Sequence, residues 1–324
     1  MRSCASVLYI AAISFLVSCS GGNKAARKSG APAIQHFPSV EAPGIYTDPA
    51  ERLAFLAEHF WDGFMDSTFT GLCDSMYVKG VPKEELETKF GLYSTVLWQM
   101  DVTGAAASVS RLFRLAESDE LRDTSSNVFE TITSYALKYF YDPNSPVRNE
   151  EFYLPYVQGL AASPAVKDDM RPAYSYDASM CSLNRVGFPA ADFAFKDLSG
   201  KVHTLHGVKA DFTLLFFSNP GCPSCKEITE AAESDPDIRN LLDNKRLAVV
   251  NVYIDLELDK WREFAAGYPA EWLSGYDHNY IIRTDQIYNV RAIPSLYLLD
   301  KDKRVILKDA PQDKVFAMLS SMAK

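Results

Sequence analysis

The stretch FFSNPGCPSCKEI, Phe216 to Ile228, places Cys222 and Cys225 three positions apart directly after an apolar run. FTLLFF (212–217) has the length of a buried strand, and CPSCKEITEAAES (222–234) has the pattern of a helix, so the pair sits at a strand-to-helix junction. Three chemistries use such a pair. As a structural staple it closes a very short loop and restrains the unfolded chain least, about 2 kcal/mol in the loop-entropy picture before strain is subtracted. As half of a metal site it needs two more ligands from Cys73, Cys181, His203 and His206. The two histidines lie three apart in an extended run and point to opposite faces, so they do not converge, and no metal is expected. As a redox couple every part has a physical reason. At a helix N-terminus the unpaired N–H groups and the positive dipole end favour the Cys222 thiolate, which is the attacking species. Cys225, one turn later, is in reach to resolve a mixed disulfide. Pro223 suits the first helical turn, where a missing N–H leaves no bond unmade.

Working outward, LAVVNVYI (247–254) is a second buried strand, and LDKWREFAAG (258–267) fits a helix. SLYLLD and RVILK flank the charged turn KDK, and PQDKVFAMLSSMAK ends the chain as an amphipathic helix. Upstream, FPAADFAFKDLSGKVHTLHG (188–207) reads as a β-hairpin around the turn LSG. Strands separated by helices, then a hairpin and a final helix, predict an α/β sandwich around one mixed sheet over 187–324.

The preceding block, 44–183, reads as all-α. Asp48-Pro49 offers an N-cap and a first-turn proline, followed by Leu53, Leu56, Phe60 and Phe64 at helical steps. Pro82 with KEELE starts a second helix, and Val128, Ile132, Ala136 and Tyr139 form one stripe of a third. YDPNSP (141–146) breaks that helix, and NEEFYLPYVQGLAAS (149–163) forms another. The block carries no strong catalytic motif, and its aromatic and leucine stripes read as core.

The chain of 324 residues is 47% apolar, ample for packed cores, and is expected to divide into two globular units. Its N-terminus is read as a targeting segment. Arg2 precedes the apolar run ASVLYIAAISFLV, too short to span a membrane, and Leu16-Val17-Ser18-Cys19 resembles the bacterial lipobox. That resemblance implies a signal peptide over 1–18, cleavage before Cys19, and a lipid on its sulfur. Residues 19–43, rich in Gly, Ser, Ala, Pro and Lys, are expected to form a flexible linker with a reach of roughly 25–30 Å. Export puts the remaining thiols, Cys73, Cys181, Cys222 and Cys225, where disulfides persist. A Cys73–Cys181 bridge and two unpaired buried thiols are both open readings. The formal charge of −9 argues against nucleic acid as a partner.

A strand ending in Cys-x-x-Cys at the start of a helix, followed by VRAIPSLYLLD (290–300), resembles the thioredoxin fold. The resemblance covers about 187–324 and is greatest to the membrane-anchored envelope thiol-disulfide oxidoreductases similar to TlpA and ResA. It implies catalytic Cys222 and Cys225, a cis Ile293–Pro294 bond whose neighbouring backbone pairs with substrate and which blocks metal from the thiols, and supporting roles for Pro223 and Gly221. The segment GFPAADFAFKDLSGK (187–201) matches that branch's opening hairpin. YFYDPNSPVRNEEFYLPYV followed by NRVGFPAADF is similar to an uncharacterised helical domain that precedes such domains in Gram-negative envelope lipoproteins. Three positions depart from the pattern. Gly221 stands where a tryptophan is common, implying a less apolar surface beside Cys222; Phe216 stands where many thioredoxins bury an aspartate; and Ser295 replaces the more usual threonine. A peroxidase of the related superfamily needs Pro and Thr or Ser where this chain has Leu215 and Asn219, so that activity is not expected.

The expected protein is a lipid-anchored envelope thiol-disulfide oxidoreductase facing the periplasm, acting as a reductase on protein disulfides without a cofactor. It needs an upstream membrane or periplasmic electron donor. Ser20 after the lipid cysteine favours the outer over the inner membrane. The competing class is a scaffold lipoprotein that uses the same domain only to recognise partners.

Overall fold

The computed structural model describes residues 34–324. The signal peptide expected over 1–18, Cys19 and the first part of the linker lie outside the described residues. Asp48 caps helix α1 (Pro49–His59), accepting the Ala50 N–H at 2.7 Å, with Pro49 at the first position. The expected continuous stripe is interrupted, because α1 stops at His59 and α2 (Asp62–Met65) begins after Trp61. The break turns Phe60, Trp61 and Phe64 together into the core, where the ring of Phe37 lies 5.4 Å from both Trp61 and Phe64.

Phe37 also shortens the linker expected to reach residue 43. Residues 35–37 are docked: the Phe37 N–H bonds Glu85 Oε1 at 2.8 Å and the Gln35 N–H bonds the Gly80 carbonyl at 2.9 Å. One aromatic in a polar, proline-containing segment sets up no periodicity, so its burial leaves no sequence pattern.

A two-stranded hairpin, β1 (Tyr77–Val78) and β2 (Val81–Pro82), leads into α3 (Lys83–Leu97), α4 (Val102–Arg122) and α5 (Val128–Ala136). Val128, Ile132 and Ala136 are buried as one stripe, and α5 runs into a π-helical turn, Leu137–Tyr141. After the YDPNSP break, Asn149 caps α6 (Glu150–Ala162), which packs on α4 and on α7 (Arg171–Cys181). Together these helices enclose an aromatic-rich core around Phe64, Phe90, Phe140 and Tyr156.

The remaining chain builds β3 (Ala194–Asp197), β4 (Val202–Thr204), β5 (Phe212–Phe217), α8 (Pro223–Ser234), α9 (Pro236–Asp243), β6 (Leu247–Tyr253), α10 (Leu258–Ala265), β7 (Leu273–Tyr276), α11 (Ile281–Thr284), β8 (Ser295–Asp300), β9 (Val305–Leu307) and α12 (Gln312–Ala323). The sheet order is β4-β3-β7-β6-β5-β8-β9, with β5, β6 and β7 mutually parallel and the other pairings antiparallel. Leu214 and Phe216 face α8, α9 and α12, while Leu215 and Phe217 face a second core with Phe195, Ile282 and Tyr288. Both faces of β5 are covered, which is why its sequence is continuously apolar rather than alternating. Beyond β9, the Gly187 N–H bonds the Val305 carbonyl at 2.8 Å and the Val305 N–H bonds the Phe188 carbonyl at 2.9 Å, so the incoming segment pairs along that strand's free side. Among the described residues no helix is long and apolar enough to cross a membrane.

Candidate active site

The loop after β5 is pinned before it reaches the cysteines. Ser218 Oγ donates to Asn251 Oδ1 at 2.5 Å, and Asn219 Nδ2 donates to Asp255 Oδ2 at 2.6 Å. Gly221 follows with φ of +72°, and a Cβ there would meet nothing within 4 Å. The left-handed backbone, not a lack of space, is what asks for glycine at this position. This turn delivers Cys222 to the N-cap of α8, where its sulfur accepts the Cys225 N–H at 3.1 Å, and Pro223 fills the first helical position. Cys222 and Cys225 are joined as a disulfide with Cα atoms 5.3 Å apart. Cys225 is buried against Phe216, Ile228 and Leu296, whereas Cys222 is only half-buried. Phe216 packs edge-on against Trp272, so β5 brings no carboxylate beneath the pair.

One hollow borders the disulfide and a second lies further along α8. The first, of about 440 Å³, is lined by Asn219, Cys222, Pro223, Thr229, Phe264 and Tyr268. The surface beside Cys222 was expected to be poor in apolar groups because Gly221 has no side chain. Instead α10 supplies the missing wall through Phe264, which is half exposed. Sequence reasoning missed it because LDKWREFAAG has ordinary helical periodicity and gives no sign of lying against the cysteines. The other hollow, of about 290 Å³, runs along Ile293 and Pro294, whose peptide bond is cis, past Ser224 and Glu227 of α8, to Pro143, Asn144 and Arg148 of the helical part.

A family model described as Domain of unknown function (DUF5106) matches residues 18–184. The crystal structure of a thioredoxin-like protein from Bacteroides caccae ATCC 43185 is 35% identical, covers 89% of this chain and 99% of that chain, and superposes with a TM-score of 0.75. The chain belongs to this family of thioredoxin-like proteins with a DUF5106 domain. The C-terminal domain of an uncharacterized protein from Bacteroides fragilis NCTC 9343 is 42% identical over 42% of this chain and 98% of its own, with a TM-score of 0.41. A domain of a possible thiol-disulfide isomerase from Cytophaga hutchinsonii ATCC 33406 is 21% identical over 44% of this chain and 95% of its own, with a TM-score of 0.37. No curated protein matches the chain.

In this DUF5106 protein the helical part is fastened to the proline loop by a buried ionic cluster. Glu150 Oε1 accepts from Asn289 Nδ2 at 2.9 Å and from Arg291 Nε at 3.1 Å, and Oε2 lies 2.8 Å from Lys308 Nζ. Arg291 Nη2 donates to Asp309 Oδ2 at 2.8 Å, and Asp309 Oδ1 accepts from the hydroxyl of Ser295, the residue after Pro294, at 2.7 Å. Lys308 also donates to the Cys181 and Leu183 carbonyls, at 2.7 and 2.5 Å. The Arg291 guanidinium lies 4.2 Å from the centre of the Tyr141 ring. Burial pushes the Glu150 carboxyl above its ordinary range, and Lys308 and Arg291 oppose that shift. A second tie runs from Glu151 to Arg185 Nη2 at 2.7 Å and to the Val186 N–H at 2.9 Å. No sequence motif pairs these groups, although NVRAIP does place Arg291 three residues before Pro294.

The other candidate residues lie apart from this site or from each other. Cys73 and Cys181 are free thiols, so the bridge left open by the cysteine count is not formed. Cys73 Sγ accepts the Lys79 N–H at 3.4 Å, beside the β1–β2 hairpin, while Cys181 is fully buried at the end of α7. His203 Nε2 lies 2.8 Å from Asp197 Oδ2 within the β3–β4 hairpin, and His206 Nε2 lies 2.8 Å from the Ala190 carbonyl.

Proposed function

We propose that this protein is a thiol-disulfide oxidoreductase, anchored in the cell envelope through a lipid on Cys19, that reduces protein disulfides with Cys222 and Cys225. The observation that carries the reading is the asymmetry of the pair. Cys222 is only half-buried at the N-terminus of α8, its sulfur taking an N–H from Cys225, whereas Cys225 is buried one turn behind. In the reduced protein that donor and the helix dipole favour the Cys222 thiolate. The thiolate attacks a substrate disulfide, forming a mixed disulfide as the other substrate sulfur leaves as a thiolate. Cys225, deprotonated, then attacks the Cys222 sulfur, closing the Cys222–Cys225 bond and releasing the second substrate thiolate. The substrate gains two electrons, the enzyme loses two, and a dithiol donor on the periplasmic side restores the reduced pair.

The testing measurement is the reduction potential of the Cys222–Cys225 couple, by equilibration with glutathione buffers and thiol alkylation. We expect a value near the thioredoxin end, about −270 mV. A value near about −120 mV would reverse the direction to oxidation of folding proteins. Absence of a reversible couple would sink the redox reading and leave a scaffold in its place.

A further inference from the structure

The cleft along Pro294 has walls from two distant parts of the chain. Ser224 and Glu227 of α8 and the segment Ala292–Pro294 form one side, and Pro143, Asn144 and Arg148, in the loop between the π-helical turn and α6, form the other. That loop is held firmly. Asp142 Oδ1 accepts the Asn144 N–H at 2.8 Å and Asn144 Nδ2 at 3.1 Å, and Ser145 Oγ donates to the Tyr139 carbonyl at 2.7 Å. Arg148 ties the loop to the segment after β9, donating to the Asp309 carbonyl at 3.0 Å and the Ala310 carbonyl at 3.2 Å. Two residues further on, the Glu150–Arg291 contact ties the same stretch to the proline loop itself. The wall therefore stands at a fixed distance from Pro294 rather than floating beside it.

Among the described residues, Ala292 and Ile293 take part in no backbone hydrogen bond outside helices and strands, and both are only half-buried. Both residues line the cleft, so their N–H and C=O groups are left for a partner lying in it. The opposite side offers the amide of Asn144, a side chain that suits the N–H and C=O groups of a peptide backbone. An extended segment with free groups on both edges satisfies the two sides at once, in the manner of strand addition. Ser224, between the two cysteines in sequence, lines the cleft, so its near end lies one residue from the disulfide.

We propose that the loop Pro143–Arg148 of the DUF5106 part is a specificity element of the exchange site. It forms the second wall of a slot that takes the extended polypeptide segment flanking a substrate cysteine. This inference rests on the exchange reading of Cys222 and Cys225. The helical part then selects which polypeptide disulfides reach Cys222.

The experiment uses the full chain and Asn144→Trp, an exposed loop position where a bulky side chain narrows the slot without touching a core. The probe is a synthetic linear peptide whose single cysteine is disulfide-bonded to glutathione, with release of glutathione followed at steady state while dithiothreitol returns the Cys222–Cys225 disulfide to the dithiol after each turnover, and with the enzyme-free rate subtracted. We expect Asn144→Trp to raise KM for this peptide about tenfold with a far smaller change in kcat, the signature of lost substrate binding rather than lost chemistry. An unchanged KM, or kcat falling as far as kcat/KM, would overturn the specificity role. Reduction of the wild-type Cys222–Cys225 bond by dithiothreitol is measured alongside. Its absence would overturn the exchange reading itself, an outcome distinct from a normal wild type with an indifferent variant.

Discussion

Glu150 and Arg291 are separated by 141 positions in the chain, and the arginine Nε lies 3.1 Å from the glutamate Oε1 in an almost fully buried setting. Taking such charges out of water is unfavourable, and what offsets it here is that each has several partners. Removing one member leaves the others uncompensated, a loss of about 3–5 kcal/mol in typical buried pairs. Arg291 keeps Asp309 and Lys308 keeps two carbonyls, so Glu150→Gln is expected to lose about 3 kcal/mol in urea unfolding, the lower end of that range. Adding Lys308→Met should recover part of it, because the stranded ammonium is removed as well. Strictly additive losses in the double variant would show that the two groups do not act as a pair.

The cysteine asymmetry leads to opposite outcomes for two similar substitutions. Cys222→Ser removes the accessible nucleophile and is expected to abolish exchange. Cys225→Ser leaves the attack intact but removes the resolving thiol, so mixed disulfides should accumulate and appear as reductant-sensitive mass adducts. Turnover surviving in Cys222→Ser would contradict the assignment of the nucleophile.

The two remaining thiols differ in environment enough to be told apart chemically. Cys181 is fully buried, and that burial pushes its thiol far above the ordinary range; Cys73 is only partly covered. With the Cys222–Cys225 bond oxidised, iodoacetamide should label Cys73 in the native protein and spare Cys181 until the chain is unfolded. Equal labelling rates, read by peptide mass spectrometry, would mean that α7 opens readily around its C-terminal end.

The parts of this fold that could be read from sequence were those where one local pattern decides the structure. FTLLFF announced a strand covered on both faces, Asp48-Pro49 announced a helix start, and Cys222-Pro223 announced the N-terminus of α8. What escaped depended on partners far away in sequence. LSGY is too short and too small to read as a strand, yet β7 pairs with β6 on one side and β3 on the other. Phe37 is a lone aromatic that finds Trp61 and Phe64 only once the chain has folded. At the site, both cysteines and Pro294 carry local motifs, whereas Phe264, Asn144 and the Glu150–Arg291–Asp309 cluster are joined to them only by tertiary packing.

The β3–β4 hairpin carries a pH-dependent contribution whose sign follows from Asp197. Its carboxyl is held down to about 2, from an ordinary 3.8, first by the Ser199 hydroxyl and then by His203. A depressed folded pKa means that this stability is fully present above the unfolded value of 3.8 and is lost as pH falls through about 2. The side chain is 22% exposed, so solvent screening limits the effect to about 1 kcal/mol. Asp197→Asn should therefore lower the unfolding free energy by that amount near neutral pH, with the gap between variant and wild type closing as the pH is taken below 3.8 towards 2. Chemical unfolding of both proteins across that interval is the check. A gap that stays constant down to the lowest pH at which the protein is folded would mean that the turn is stabilised by its backbone geometry and not by the ionised carboxylate.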